Sequence, residues 1–332
     1  MTIFLSERLD PLFDAHPITL VDVGARGGLQ PNWRPVRRHL RLIGFEPDPE
    51  EHARLSRDAD PRKALYIQCA LHRRAAELVL NVGREGGTSS FLEPDWEFLA
   101  RFPDVQRYEA VRRVPVKVDS LDRVLAAHGV ADPDFLKIDT QGAELAILEG
   151  GRATLGGLFG VELEVLFGRL YAGQPRFGQI EALLEEAGFQ LMDLRPSYWK
   201  RARGARYGGP KGQIAFADAL YFKTERAFQA QLEAIADPAR AQVRLLHALS
   251  VSLLYGYTDY AIELFHPNRG RFEPALAAAI DRALETGVPF SARLPHFRGR
   301  GWLSHLFYRL HRALYPTLGG WASGARHLGN LD

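Results

Sequence analysis

The chain has 332 residues, 46% of them apolar, enough to bury a large core as one domain with an appendage or a second domain. A formal charge of +2 and a pI near 8.6 are too mild to indicate a nucleic-acid partner. The single cysteine, Cys69, excludes an internal disulfide framework or a cysteine-rich zinc site and reads as a buried structural thiol in a reducing compartment.

No run reaches about 18 apolar residues and the N-terminus lacks a secretory pattern, so a cytoplasmic protein is expected, with peripheral contact at the inner face of a membrane left open. Residues 1–17 read as a helical lead-in. From residue 18 short β-branched and aromatic runs alternate with helical patterns, the signature of a doubly wound α/β sheet. Strands are predicted over residues 18–23, 42–45 and 65–70, followed by a hairpin-like insertion at 78–82 and an extended segment at 111–118. A helix at 121–128 leads to a buried strand at 135–138, then a strand at 160–167 and a helix at 180–187 stopped by Gly188. The last strands, 189–194 and 214–222, have no crossover helix between them and are expected to form an antiparallel hairpin at the sheet edge. Residues 18–224 are thus the expected α/β domain. The helical patterns at 227–235, 238–255, 260–264, 274–285 and 302–314 are expected to form a C-terminal extension over 225–332.

Gly24, Gly27 and Gly28 follow the first strand, where a turn without side chains can approach a nucleotide-type cofactor closely. Asp22 sits just inside that turn, with Ala25 and Arg26 in it. Glu46, 24 residues after Asp22 at the end of the second strand, is placed to accept hydrogen bonds from ribose hydroxyls, with Pro47 fixing the chain beyond it. A nicotinamide dinucleotide site is disfavoured, because its glycine spacing would fall on Arg26 and Leu29. S-adenosylmethionine (SAM) suits these residues better, since it needs close backbone approach and carboxylates for its hydroxyl and ammonium donors. Ala70 and Leu71, at the end of the third strand, are placed beside the same cofactor.

The segments Val21-Asp22-Val23-Gly24-Ala25, Gly44-Phe45-Glu46-Pro47 and Phe135-Leu136-Lys137-Ile138-Asp139-Thr140-Gln141-Gly142-Ala143-Glu144 resemble the FkbM methyltransferase family. The similarity runs on through Thr88-Ser89-Ser90, Val161-Glu162-Leu163-Glu164 and Tyr171-Ala172-Gly173-Gln174-Pro175, and covers roughly residues 18–223. It implies a class I methyltransferase fold and SAM-dependent methylation, with S-adenosylhomocysteine as product. The usual acceptor in the family is a hydroxyl oxygen of a sugar, glycan or secondary metabolite. Arg26 and Gln141 depart from the residues common in the family, Asn and Glu.

An alcohol acceptor must lose its proton, and Asp139, at the carboxyl end of its strand, is the leading general-base candidate; capping of the next helix is its alternative role. Lys137 alternates with Asp139 and is expected either to pair with Glu144 or to approach the acceptor. Glu162 and Glu164 point to one face and are candidates for holding acceptor hydroxyls, with structural hydrogen bonding as the other reading. Together with Asp139 they have the oxygen chemistry of a divalent-cation site, but no compact metal motif is present and no metal is expected.

Ser89, Ser90, Tyr171, Gln174 and Phe177 are candidate acceptor-wall residues, and the connection 195–212, with Trp199, Arg201 and Arg206, suggests a phosphorylated or lipid-linked glycan. From Ser291 onward there are six arginines against one acid, Asp332, beside an apolar stripe, Trp302, Leu303, Leu306, Phe307, Leu310 and Leu314. That stripe is expected to dock on the chain itself, on a partner subunit as a homo-oligomer, or on an anionic membrane. An RNA methyltransferase and a non-catalytic SAM-binding scaffold are the alternative functions, the former without a base-methylating motif in the sequence.

Overall fold

The computed structural model describes residues 8–207, 212–286, 295–314, 321–324 and 328. In chain order the strands are β1 (Ile18–Val23), β2 (Leu40–Phe45), β3 (Ala64–Ile67), β4 (Ala70–Leu71), β5 (Ala76–Gly83), β6 (Ala110–Asp119), β7 (Phe135–Ile138), β8 (Gly160–Leu166), β9 (Phe189–Trp199), β10 (Gln213–Lys223) and β11 (Ala322–Gly324). The helices are α1 (Asp10–Ala15), α2 (Pro49–Asp58), α3 (Trp96–Leu99), α4 (Leu121–Ala127), α5 (Glu144–Glu149), α6 (Arg152–Gly157), α7 (Phe177–Glu186), α8 (Glu225–Ala234), α9 (Pro238–Leu254), α10 (Thr258–Phe265), α11 (Pro274–Thr286) and α12 (Arg300–Leu314).

β1, β7 and β8 are buried along their whole length, which is why they read as continuous apolar runs rather than alternating ones. The main sheet has the order β11-β9-β10-β8-β7-β1-β2-β3. It is parallel from β3 through β8, whereas β10 pairs antiparallel with both β8 and β9. The chain leaves β1 toward β2 on one side and returns to β7 on the other, so a crevice opens at the carboxyl ends of these strands. β9 runs on to Trp199, five residues past the expected end at residue 194, so the first part of the expected loop is strand. After β1 the chain forms a 3₁₀ segment, Pro31–His39, within which Pro35 withholds the backbone donor that an α-helix would use.

The insertion forms its own sheet, β4-β6-β5, with β5 and β6 antiparallel over Ala76↔Val118 to Gly83↔Ala110. It stands over the carboxyl ends of the parallel strands.

One face of the main sheet is packed with the apolar residues of α4, α5, α6 and α7. The residues expected to form a helical extension cover the other face. Phe228, Leu245, Leu249, Tyr255, Phe265 and Ile280 share one core with Phe135, Leu220 and Phe222. A buried charged link joins this layer to the sheet: Arg244 Nη1 and His247 Nδ1 of α9 lie 2.5 and 3.0 Å from Asp134 Oδ1, and Asp134 Oδ2 accepts from Thr19 N at 2.8 Å. Burial would raise the Asp134 pKa, but His247 and Arg244 together outweigh it and hold the carboxyl below its ordinary value. Its stabilisation is therefore present above about pH 4 and lost as pH falls through its folded value.

Removing one partner of such a link leaves buried charge unanswered. Asp134→Ala is expected to cost about 3–5 kcal/mol of unfolding free energy in urea titration at neutral pH. A loss under about 1 kcal/mol would mean that the link contributes no more than a surface pair.

Candidate functional site

A cleft of about 740 Å³ lies where the carboxyl ends of β1, β2 and β7 meet the small sheet. Its floor is Val23 and Gly24, one wall is Phe45, Glu46, Pro47 and Asp48, and the opposite wall is Lys137, Asp139, Thr140 and Gln141. Cys69, Ala70, Leu71, Leu80, Val82, Phe91, Val114 and Val116 give an apolar side, most of it from the insertion.

Gly24 has φ +83°, and its amide and that of Ala25 donate to the Phe45 carbonyl at 3.1 and 3.0 Å, tying the turn to β2. A Cβ on Gly24 would run into the Asp139 carbonyl oxygen, so the first strand's turn and the β7 loop can approach this closely only with glycine. Gly27 lines the cleft and its amide donates to Glu51 Oε1 at 2.9 Å, whereas Gly28 packs near Leu55 and Tyr66, outside the cleft lining. Arg26 lines the cleft mouth and lies 3.9 Å from Asp48 Oδ2.

Glu46 is buried at 4% exposure, and its Oε1 accepts the Asp48 amide at 2.9 Å. Burial pushes its pKa above the ordinary carboxylate value, with Asp48 N and Arg26 pulling the other way.

Asp22 lies beneath the cleft lining. Its Oδ1 is 3.3 Å from Lys137 Nζ on the neighbouring strand, and Lys137 is 3.9 Å from Asp139 Oδ2. Burial pushes Asp22 up to about 6 against the pull of Lys137. For Lys137 burial acts downward, but Asp22 and Asp139 outweigh it and hold the ammonium protonated.

The expected Lys137–Glu144 pair does not form. Glu144 instead accepts from Thr140 N at 3.0 Å, Thr140 Oγ1 at 3.1 Å and Gly142 N at 2.9 Å. This wraps residues 139–144 into a tight loop in which Gln141 has φ +56° and Gly142 φ +107°. Asp139 caps no helix, since α5 starts at Glu144 with Ala143 at its N-cap. Its side chain is 44% exposed to the cleft, and Oδ1 accepts from Gln141 Nε2 at 3.3 Å.

Glu162 and Glu164 share a face but stand behind the cleft wall rather than in it. Tyr255, at the C-cap of α9, donates to Glu162 Oε2 at 2.5 Å, and Gln141 Nε2 donates to Glu164 Oε1 at 2.9 Å. Burial raises Glu162 to about 7 despite the Tyr255 hydrogen bond, and burial with the nearby carboxylates of Asp139, Glu144 and Asp218 raises Glu164 well above its ordinary value.

Of the expected acceptor residues, Ser89 lines the cleft and its Oγ accepts from Gly83 N at 3.2 Å. Ser90 is buried and donates to the Gln141 carbonyl at 2.6 Å. Tyr171 is buried too, its one hydroxyl proton shared between Gln141 Oε1 and the Thr88 carbonyl, at 3.0 and 3.2 Å. Gln174 is occupied by Tyr171 N and the Gly168 carbonyl, and Phe177 packs on Phe167.

Trp199 is not an acceptor platform. It is 2% exposed in an aromatic cluster with Phe102, Tyr108, Phe216 and Trp321, because β9 carries it into the sheet. Arg201 donates to Gln213 Oε1 at 2.8 Å, and the side chain of Arg206 lies outside the described residues. Cys69 is half-buried on the cleft, not a core thiol, and burial pushes its pKa up.

The wall supplied by β5 and β6, with Phe91, Arg84 and Arg112, was missed from sequence. The alternation at residues 78–82 marked a strand but not which sheet it joined. Among the described residues no group of three or more potential ligands converges to hold a metal.

A sequence model of the methyltransferase FkbM domain matches residues 22–191, just over half of the chain. The chain belongs to the FkbM methyltransferase family. Its cofactor is SAM, and its sheet, parallel through β8 with β10 inserted antiparallel, has the class I methyltransferase architecture.

No curated protein matches the FkbM chain in sequence. Among solved structures it is similar to an FkbM methyltransferase from Methylobacillus flagellatus KT, at 14% identity and a TM-score of 0.33 over 62% of this chain. It spans 43% of that protein's length. It is also similar to a putative SAM-dependent methyltransferase from Listeria monocytogenes, at 10% identity and TM-score 0.33, covering 65% of this chain and 97% of that one. A precorrin-6y C5,15-methyltransferase from Geobacter metallireducens GS-15 matches at 11% identity and TM-score 0.32, over 65% of this chain and 87% of that one.

The cleft fits SAM on three counts. Its volume suits a nucleoside-sized ligand, its apolar side suits an adenine, and Glu46 brings a buried carboxylate to the β2 end with only Oε1 engaged by Asp48 N.

Because Glu162 titrates higher in the folded chain than its ordinary 4.5, its stabilisation is complete below about pH 4.5 and lost as pH rises through about 7. Stability is therefore expected to fall across that window by up to about 1.4 kcal/mol per pH unit. Glu162→Gln should flatten the slope in urea unfolding at a series of pH values. An unchanged slope would show that Glu162 ionises normally.

Proposed function

We propose that this FkbM chain transfers the methyl group of SAM to a hydroxyl oxygen of a sugar-like or other hydroxylated small molecule, with Asp139 as general base. The observation that carries this reading is the division of labour among the acids lining the cleft. Glu46 and Asp48 belong to the β2 end, where ribose hydroxyls are held, and Asp139 is the acid on the opposite wall, exposed and aligned by Lys137 and Gln141.

When bound, SAM supplies an electrophilic methyl on a sulfonium sulfur. The Asp139 carboxylate would take the acceptor's hydroxyl proton as that oxygen receives the methyl group, with S-adenosylhomocysteine as the leaving product. Lys137, held protonated by two carboxylates, cannot be that base and serves to position Asp139. The raised Cys69 thiol argues against a covalent cysteine route, which supports the oxygen reading over methylation of an RNA base through a thiolate. Much of the rate comes from alignment, for which effective molarities reach about 10⁵ M or more.

The acceptor is expected to carry an anionic group such as phosphate. Arg84 is occupied by Glu109 and Arg26 approaches Asp48, but Arg112 lines the mouth with no ion pair among the described residues.

Isothermal titration and a coupled S-adenosylhomocysteine assay over phosphorylated and plain glycosides test this. Asp139→Asn should keep SAM affinity and lower kcat by about 10²–10⁴; unchanged turnover rejects Asp139 as base. Glu46→Ala should raise the SAM dissociation constant roughly ten- to a hundredfold. Wild-type affinity in that variant would remove Glu46 from the ribose.

A further inference from the structure

Helix α12 is built unlike the rest of the chain. Of the thirteen described large apolar residues that are exposed, eight fall between Phe297 and Leu314, and the other five are scattered singly over the surface. Trp302, Phe307 and Leu314 are 70, 60 and 74% exposed, and none of the described cores includes a residue of this helix. At 3.6 residues per turn, Trp302, Leu303, Leu306, Phe307, Leu310 and Leu314 fall in one arc of about 140°, bordered by Arg300 on one side and Arg309 on the other. A contiguous apolar patch of this kind on a soluble fold marks a contact surface rather than chance exposure.

Charge selects what covers it. No acidic residue occurs between Glu285 and Asp332, while that stretch carries six arginines. A two-fold contact between copies through this face would set the same arginine-bordered rim against itself, with no local carboxylate to answer it. An anionic lipid surface answers both features: the apolar arc sinks to the level of the acyl chains, Trp302 suits the interface, and the arginines meet headgroup phosphates. Among the described residues no helix is long and apolar enough to cross a membrane, so the contact is with one leaflet.

We propose that α12 docks this methyltransferase on an anionic membrane surface, lying in the plane of the headgroups. The helix is secured to the catalytic domain beyond its own C-terminus. β11 pairs with β9, Lys200 N donates to the Trp321 carbonyl at 2.7 Å, and Trp321 packs on Trp199. Docking through α12 therefore holds the whole domain at the surface, and deleting the C-terminus would also remove an edge strand.

Point variants of the full chain are the suitable test, read by flotation with phosphatidylcholine vesicles with or without phosphatidylglycerol. Wild type should float with phosphatidylglycerol vesicles only, less so as salt rises. Leu306→Glu with Phe307→Glu should lower vesicle affinity by about tenfold or more with an unchanged melting temperature, since both side chains are exposed. Replacing Arg309 and Arg298, the latter two residues before the helix, by Gln should weaken it about fivefold per arginine. Failure of wild type to float, equal binding to uncharged vesicles, or undiminished binding of the Leu306/Phe307 variant would each overturn the proposal. So would a dimer in sedimentation that this variant dissociates while wild type ignores vesicles, which would identify a second copy as the occupant.

Discussion

One buried ammonium organises the catalytic edge of the sheet. Lys137 stands between Asp22 on β1 and Asp139 at the end of β7, and a lysine at that depth is tolerable only because both carboxylates face it. The charge fixes the side chains of two neighbouring strands at the point where their chains diverge. Gly24 then lets the first turn lie against the Asp139 carbonyl, so the floor and the far wall of the cleft are set by the same few atoms. The cation itself remains protonated, because the two carboxylates it faces outweigh the cost of its burial.

Behind that pair lies a layer whose task is to hold rather than to touch. Gln141 is the junction: its backbone is in the left-handed region, its carbonyl accepts from Ser90, its amide donates to Glu164 and Asp139, and its Oε1 accepts from Tyr171. A residue so engaged cannot rotate away, and the strained backbone persists because the surroundings over-determine it. Ser90, paired with Asn81 of β5, brings the inserted sheet into the same network, so hydrogen bonds tie the apolar wall of the cleft to the loop bearing Asp139. Glu162 and Glu164 are part of this support, and their raised pKa values reflect burial beside other acids. Raised pKa values do not by themselves mark catalytic groups.

The C-terminal third of the chain serves two different surfaces. Helices α8 to α11 complete the core and send Tyr255 to Glu162, so the polar layer beneath the cleft depends on a helix far along the chain. Asp134, at the other end of β7, receives Arg244 and His247 from the same helix. The strand that carries Lys137 and leads into Asp139 is thus clamped at both ends by buried charge. α12 is instead turned outward, and β11 returns the chain to the sheet edge beyond it.

What the sequence determined was local. Alternation and apolar runs placed nearly every strand within a few residues, because strand burial is imposed residue by residue. The glycine turn after β1, the strand end at Glu46 and the tight loop from Asp139 to Glu144 were legible because they are set locally, whereas the contact of Gly24 with Asp139 and the pairing of Lys137 with Asp22 join residues far apart in the chain. Tertiary structure alone decided which polar groups faced the cleft. Ser90, Tyr171 and Trp199 have the chemistry of a sugar-binding wall, but distant partners bury them: Gln141 lies 51 residues from Ser90, and Tyr171 lies 83 from the Thr88 carbonyl. The wall of β5 and β6 was hidden for the same reason, since strand pairing across a long connection leaves no periodicity to read. Burial is a property of the assembled chain, and it divides residues of identical type into those that meet the ligand and those that hold them there.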